Sequence, residues 1–530
     1  MKVADFFAGG GGFSEGFRQM GFDVVFALDN WEPAVQTHDL NHPDCKAVKM
    51  NILELDTPEK IDEVVPDAEI LIGSPPCVAF SGSNKAGKAD KSLGLRLIEA
   101  YLRIVAWKQK KGVLRYWILE NVPNSAKFIK DEYTFKELGL PGEDVLTIKE
   151  RGIYNAADFG APQTRTRFFC GDYPEPKKTH KESEWVAVAS VLEALTPSDG
   201  KVKDPNYPGL CIDTSGLIDH DYDTTVEEWE WKSAKRSKRD HGYMGKMSFP
   251  EDASRPSRTV MATQSASTRE AMLLPGPEEG TYRMPTIREI GCFMSFPITY
   301  QFEAGSEGSK YRLVGNAVCC KMSAALARAI AEKEGLEYPM DDAIDFSHRP
   351  TPSLDLKGRP KTKKERKPKR AGAKYARHVP YIKIKSMRAE LTNKDSDFDN
   401  GDIQWTCYMH RGGGKSAKKT KVPADLMKDL LIEFGGFEEF DKRLDEFFIG
   451  RVPDAQTFQE IYRRLYENEM MGPDEALEGI KEIIDEQYPE DLSEDAILKP
   501  IMVFGLGEVT VPIRVAAAAY ACDKLVRTLR

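Results

Sequence analysis

The first 172 residues constrain the fold most, because short apolar runs alternate there with stretches of helical period. Lys2–Phe7, Asp23–Leu28, Glu69–Gly73, Tyr116–Glu120 and Arg167–Gly171 read as strands. Between them Ser14–Met20, Ala34–Leu40 and Leu93–Lys110 read as helices. Strands and helices alternating at this spacing form a mainly parallel sheet covered on both faces, an α/β arrangement. Ligands of such sheets bind at the carboxyl ends of the strands. The loops following each strand are therefore the first places to look for chemistry.

After the first strand comes Asp5-Phe6-Phe7-Ala8-Gly9-Gly10-Gly11-Gly12-Phe13. Glycines there let the backbone approach a ligand and leave helix N–H groups facing negative charge. No Gly-Lys-Ser/Thr follows, so this is not a P-loop. After the second strand stand Asp29, Asn30 and Trp31. An acid at that place suits a ribose diol, and equally suits a helix cap. The third loop is Ser74-Pro75-Pro76-Cys77, in which two prolines fix the approach to an intrinsically nucleophilic side chain. The fourth is Glu120-Asn121-Val122, whose carboxyl, if desolvated, could hold a proton and donate it. Gln163-Thr164-Arg165-Thr166-Arg167 then puts two arginines on one face of an extended segment. Such a pair suits a carbonyl, a phosphate or a carboxylate. Singly, each motif is as well explained by a structural salt bridge.

Taken in order, with Arg288-Glu289 and Gly315-Asn316-Ala317-Val318 after a long irregular insert, the motifs resemble the DNA (cytosine-5) methyltransferase family of the prokaryotic restriction-modification type. The resemblance covers about residues 1–335. It implies a Rossmann-like methyltransferase domain that binds S-adenosyl-L-methionine. Cys77 would attack carbon 6 of a flipped-out cytosine in duplex DNA. Glu120 would contact ring N3 and the exocyclic amine. Arg165 and Arg167 would engage the cytosine O2 and the active-site loop. Phe7, Gly9, Gly11, Gly12, Asp29, Asn30, Asn51, Ile52, Pro75, Asn316 and Val318 would surround the cofactor. Val78 stands where the family usually has Gln, Asn30 where it has an apolar residue, and Asn51 where it has Asp. These departures bear on loop closure and cofactor affinity more than on the reaction.

At 530 residues the chain exceeds one domain. We read 1–173, completed by 281–340, as catalytic. By the resemblance, the irregular 174–280 is a target-recognition domain. Residues 349–378, rich in Pro, Lys and Arg, read as a basic linker or solvated tether, with phosphate contact as a second reading. Residues 379–530 read as an α-rich accessory domain, including helical segments at Ala424–Glu446 and Ala455–Met470. The run Lys232–Arg239 is a candidate phosphate contact, and Thr259-Val260 and Gln264–Arg269 are candidates near the bases.

Nine scattered cysteines make no Cys-x-x-Cys pair, and no zinc spacing or other metal site is read. The net charge of -9 argues against a general nucleic-acid coat but allows a local basic surface. The chain starts on a strand-like run rather than a leader, and no long uncharged apolar run suggests a membrane span. We therefore expect a cytoplasmic monomer acting on double-stranded DNA, with a cognate restriction endonuclease in the same system. A tRNA cytosine-5 methyltransferase and a catalytically silent DNA-binding scaffold are the competing readings.

Overall fold

The computed structural model of the chain describes residues 1–76, 91–240, 247–263, 265–361, 363–364, 367–412, 417–464, 470–490, 501–503 and 505–529. It divides into two compact units, one of Met1–Trp231 with Pro250–Thr362, the other of Lys232–Phe249 with Lys363–Arg530.

Unit 1 is built on a seven-stranded sheet. Its strands are β1 (Lys2–Phe6), β2 (Asp23–Asp29), β3 (Lys46–Lys49), β4 (Ile70–Gly73), β5 (Tyr116–Asn121), β6 (Glu150–Asn155) and β7 (Thr166–Asp172), in the order β3-β2-β1-β4-β5-β7-β6. The first five pair in parallel, and β7 runs antiparallel to β5 and β6. Strands β3 and β6 were not expected from the sequence. Both are half-exposed edges without the long apolar run that marks a central strand.

Side chains of the central strands alternate between two cores. Val3, Ile70, Ile72 and Ile118 enter one, while Ala4, Phe6, Leu71, Trp117 and Leu119 enter the other. Helices α1 (Gly12–Gln19) and α2 (Glu32–Asn41) follow β1 and β2, and α3 (Lys91–Lys110) precedes β5. Late in the chain come α4 (Ile287–Phe293), α5 (Glu307–Asn316) and α6 (Cys320–Glu334). Helices α5 and α6 are parted at Ala317–Cys319. The stretch Glu307–Glu334 is long and apolar enough to cross a bilayer, yet 83% of its most apolar window is buried inside the protein. It is a core element: a Cβ on Gly16 of α1 would sit 2.4 Å from Ser323 Cβ, so α6 crosses α1 at close range.

The segment read as a tether is not free. Leu356 is fully buried, its N–H donates to Asp219 Oδ1 at 3.0 Å, and Asp219 N–H donates to Asp355 Oδ1 at 2.9 Å. Asp219 also holds the fully buried Lys310 ammonium at 2.6 Å. These bonds bind residues 355–356 to unit 1. From Lys363 the chain belongs to unit 2, and Lys369 N–H donates to Arg463 O at 2.7 Å. The proline and lysine content that suggested a tether instead reflects exposed backbone between anchored points.

Unit 2 is rich in helix, as expected, and carries a sheet as well. A four-stranded antiparallel sheet, β8 (Ala376–His378), β9 (Met387–Thr392), β10 (Thr406–Arg411) and β11 (Lys418–Lys421), shares a core with helices that include Ala424–Phe434, Phe437–Phe448, Pro473–Gln487 and Ile513–Thr528. The helix expected over Ala424–Glu446 breaks at Gly435 and Gly436, which take φ of 107° and 80°. The one expected over Ala455–Met470 runs as Ala455–Arg464, and its next five residues lie outside the described residues.

Candidate active site

The sheet order reverses between β1 and β4, and the loops leaving these strands flank that point. This is where a doubly wound sheet opens a crevice. Phe7, directly after β1, takes a left-handed φ of 58°, costly for a bulky residue and maintained only when its surroundings demand it. The demand comes from the third loop: Ser74 N–H donates to Phe6 O at 3.1 Å and Ser74 Oγ donates to Phe7 O at 3.2 Å. Gly9 N–H then donates to Asp29 Oδ2 and Trp31 N–H to Asp29 Oδ1, both at 2.9 Å. One carboxylate therefore braces the first loop against the second. Burial pushes its pKa up, with the N–H donors pulling the other way.

The crevice is a cavity of about 200 Å³. Phe7, Gly9, Asp29, Asn30, Asn51, Ile52, Pro75, Glu120, Arg165, Arg167 and Asn316, all singled out in the sequence, line it together. Trp31, Met50, Ser74, Leu97 and Arg312 line it as well and were not picked as site residues. The Arg312 guanidinium stacks 4.6 Å from the Trp31 ring centre. Aromatic and aliphatic residues beside a polar segment were the signal for these, but which of them face inward depends on the packing. Asn51 works as a cap: its side chain accepts from Leu53 N–H and Glu54 returns a bond to its backbone.

Three predicted residues do not line the cavity. Gly11 and Gly12 serve the packing behind the loop. A Cβ on Gly12 would lie 2.1 Å from Val318 O, and one on Gly11, at φ 79°, would lie 2.1 Å from the Tyr300 hydroxyl. Val318 is buried on that same side. Cys77 and Val78 lie outside the described residues. Pro76, immediately before Cys77, lines the cavity. Asn121 Nδ2 donates to Pro75 O at 3.0 Å, which ties the proline loop to the end of β5.

Glu120 is almost fully buried, and Arg167 Nε lies 3.0 Å from its Oε1. Desolvation raises its pKa, and Arg167 and then Arg165 oppose the rise. A carboxyl in this setting retains a proton to higher pH than a solvated glutamate. The two arginines differ. Both line the cavity, but Arg165 is also buried and donates to three carbonyls, those of Val260, Gly315 and Ala317, at 2.9–3.1 Å. Thr259 and Val260 also serve this anchoring. Thr259 Oγ1 donates to Thr164 O at 2.9 Å, and Val260 N–H donates to Gln163 Oε1 at 3.3 Å. They hold the arginine motif in place. Gln264, next to them in the sequence reading, lies outside the described residues.

Beneath the glycine loop runs a buried polar chain. Ser14 Oγ donates to Asp5 Oδ2 at 2.7 Å and lies 3.0 Å from His38 Nε2. Burial raises the Asp5 pKa to about 7 and drops that of His42, next to His38, to about 3. Tyr300 hydroxyl caps the chain by donating to Gly10 O at 3.0 Å.

The cavity's chemistry fits a nucleoside cofactor. Glycine backbone and a braced carboxylate can meet a sugar, apolar walls at Phe7, Leu28, Met50 and Ile52 can take a base, and a protonatable carboxyl with an arginine stands at the other end. Fold and crevice together define a doubly wound sheet with a buried carboxyl and its paired arginine in the crevice at the switch point. Comparison with known proteins narrows this. Residues 1–332 match the model of the C-5 cytosine-specific DNA methylases, and the chain belongs to that family. Type II methyltransferase M.MthTI of Methanothermobacter thermautotrophicus is 28% identical over 352 residues, 64% of this chain and 98% of the relative. Type II methyltransferase M.DdeI of Desulfomicrobium norvegicum is 27% identical over 385 residues, 62% and 88% of the respective chains. Among solved structures, a putative DNA modification methyltransferase encoded within a prophage (E. coli) is 21% identical, with a TM-score of 0.44 over 63% of this chain and 99% of that one. The chain is thus a DNA (cytosine-5) methyltransferase, and its methyl donor is S-adenosyl-L-methionine.

Proposed function

We propose that the protein methylates carbon 5 of a cytosine held outside the duplex, within one DNA sequence, through a covalent bond from Cys77 to carbon 6. The observation that carries this is Glu120: a desolvated carboxyl beside Arg167, in the cavity that also contains Pro76, the neighbour of Cys77. S-adenosyl-L-methionine, when bound, supplies an electrophilic methyl group. The chain's own groups make the ring able to take it. Thiolate addition at carbon 6 pushes an electron pair into the ring. Glu120 stabilises that pair by giving its proton to N3, and Arg167 holds O2. Carbon 5, now nucleophilic, takes the methyl group; its proton then passes to solvent water, and N3 returns its proton to Glu120. The pair returns to the ring, which expels the Cys77 thiolate. Asp29 would accept from the ribose and Phe7 and Ile52 would flank the adenine. A base inside a duplex cannot enter so enclosed a cavity, so the target must leave the stack.

Most of 174–280 would read the target sequence. We further propose that the enzyme works as a monomer in the cytoplasm and protects DNA against a cognate endonuclease. Relatives bearing type II names support that role.

The test is covalent trapping. With cofactor and a duplex containing 5-fluorocytosine, the wild type should form a denaturation-resistant adduct, Cys77→Ser should form none, and Glu120→Gln should form it about 10²-fold more slowly. An adduct that persists in Cys77→Ser would sink the mechanism. Methylation of a tRNA in preference to duplex DNA would sink the substrate. Bisulfite sequencing of the methylated DNA identifies the target sequence.

A further inference from the structure

The densest basic runs of the sequence belong to unit 2. Residues 232–249 carry six basic side chains and one acidic, and residues 363–377 carry eight and one. The rest of that unit, 379–530, is acidic, with 29 acidic against 21 basic side chains. The two basic segments are more than a hundred residues apart in sequence, and the fold brings them to one point. That point is Asp474, at the start of helix Pro473–Gln487. Arg377 Nη1 lies 2.7 Å from its Oδ1, the Tyr375 hydroxyl donates to the same oxygen at 2.8 Å, and Arg236 Nη1 lies 3.4 Å away. Arg236 Nη2 also donates to His378 O at 3.1 Å, and Asp240 lies 2.6 Å from His378 Nε2.

The Asp474 carboxylate is partly withdrawn from solvent. Arg377, Arg236 and Lys369 hold its pKa below the ordinary range despite that burial. Removing a carboxylate from water is expensive unless it is paired and hydrogen-bonded, and here the cations that pair it come from both basic segments. A few of the positive charges are consumed in this joint. Others face solvent: Lys363, Lys367, Arg370 and Lys374 from the second segment and Arg239 from the first are all exposed.

We propose that unit 2 is a DNA-backbone clamp, its phosphate-binding surface made of residues 232–240 and 367–377 gathered at Asp474. The partner is duplex DNA, held through its phosphates without reading of bases. The charge is concentrated on an otherwise acidic unit, as local phosphate binding requires and as general solubility does not. The first segment arises inside the region proposed to read the target, so a single stretch of chain serves both tasks. The inference rests on duplex DNA being the substrate.

The test uses the full chain with Lys367→Gln, Arg370→Gln and Lys374→Gln combined. The dissociation constant for a duplex of thirty or so base pairs should rise at least about tenfold near physiological salt. The slope of its logarithm against log salt should fall by about 2–3, since each lost phosphate contact removes about 0.9. The kcat at saturating DNA and the methylated sequence should not change, as no cavity residue is touched. A control with Lys428→Gln, Lys442→Gln and Arg451→Gln should leave affinity and slope as in the wild type. Wild-type affinity and slope in the first variant would overturn the clamp, as would an equal loss in the control, which would mean net charge alone is responsible. A structured RNA that competes as well as duplex DNA would overturn the partner. Wild-type methylation of DNA, measured alongside, separates failure of the clamp from failure of the enzymatic reading.

Discussion

Asp5 shows how far a single residue's environment can move its chemistry. It sits inside β1 with no exposed surface, and only one of its carboxyl oxygens receives a hydrogen bond, from Ser14. Burial raises its pKa from 3.8 to about 7. Because the folded value lies above the unfolded one, folding favours the protonated form. The associated stability is fully present below about pH 4 and is lost as pH rises towards 7. Each unit is worth about 1.4 kcal/mol, so the loss is about 4 kcal/mol in all. Asp5→Asn cannot ionise. Its thermal midpoint relative to the wild type should climb between about pH 4 and pH 7 and level off above, and a flat difference would refute the burial argument. In the sequence Asp5 is only an acid among apolar residues. Glu120, by contrast, was legible as a site residue from its motif. What the sequence could not supply was its protonation, because desolvation depends on the side chains folded around it.

At the scale of elements, the glycine loop divides into two halves with different duties. Gly9 faces the cavity and bonds Asp29, whereas Gly11 and Gly12 are required by what lies behind them. Gly12→Ala places a methyl group on Val318 O, and forced overpacking of this kind costs about 1–3 kcal/mol. The loop Gly315–Val318 must then shift, and Asn316 lines the cavity. We expect a lowered thermal midpoint together with weaker S-adenosyl-L-methionine binding by calorimetry. Gly21→Ala, at a φ of 81° but with open space around it, should lower stability through backbone strain alone and leave cofactor affinity unchanged. Four glycines in a row read alike in a sequence. Only the approach of residues 296–318, nearly three hundred positions away, tells them apart. The same distance explains Arg165, which reads as the twin of Arg167 but is spent on the carbonyls of Val260, Gly315 and Ala317.

The whole molecule has two units with separate cores, and all the described cofactor-lining residues lie in unit 1. A ligand stabilises only what it binds, by about 2.7 kcal/mol at a hundred times its dissociation constant. Scanning calorimetry should therefore show S-adenosyl-L-methionine raising the transition of unit 1 by a few degrees while that of unit 2 stays put; a common shift of both would contradict this. The sequence alone determined the family, the sheet class, the order of motifs and most of the residues around the crevice. Those are carried by short-range patterns: apolar runs of strand length, glycines and prolines that restrict the backbone, and motifs in fixed order. Tertiary structure alone decided the boundary inside 349–378, the passage of 232–249 into unit 2, the four-stranded sheet of that unit, and which glycines face the cavity. Each of these turns on contacts between residues far apart in the chain, such as Asp219 with Lys310 or Asp474 with Arg236. Local sequence cannot specify them, because the energy of a buried charge depends on the partner that folding brings to it.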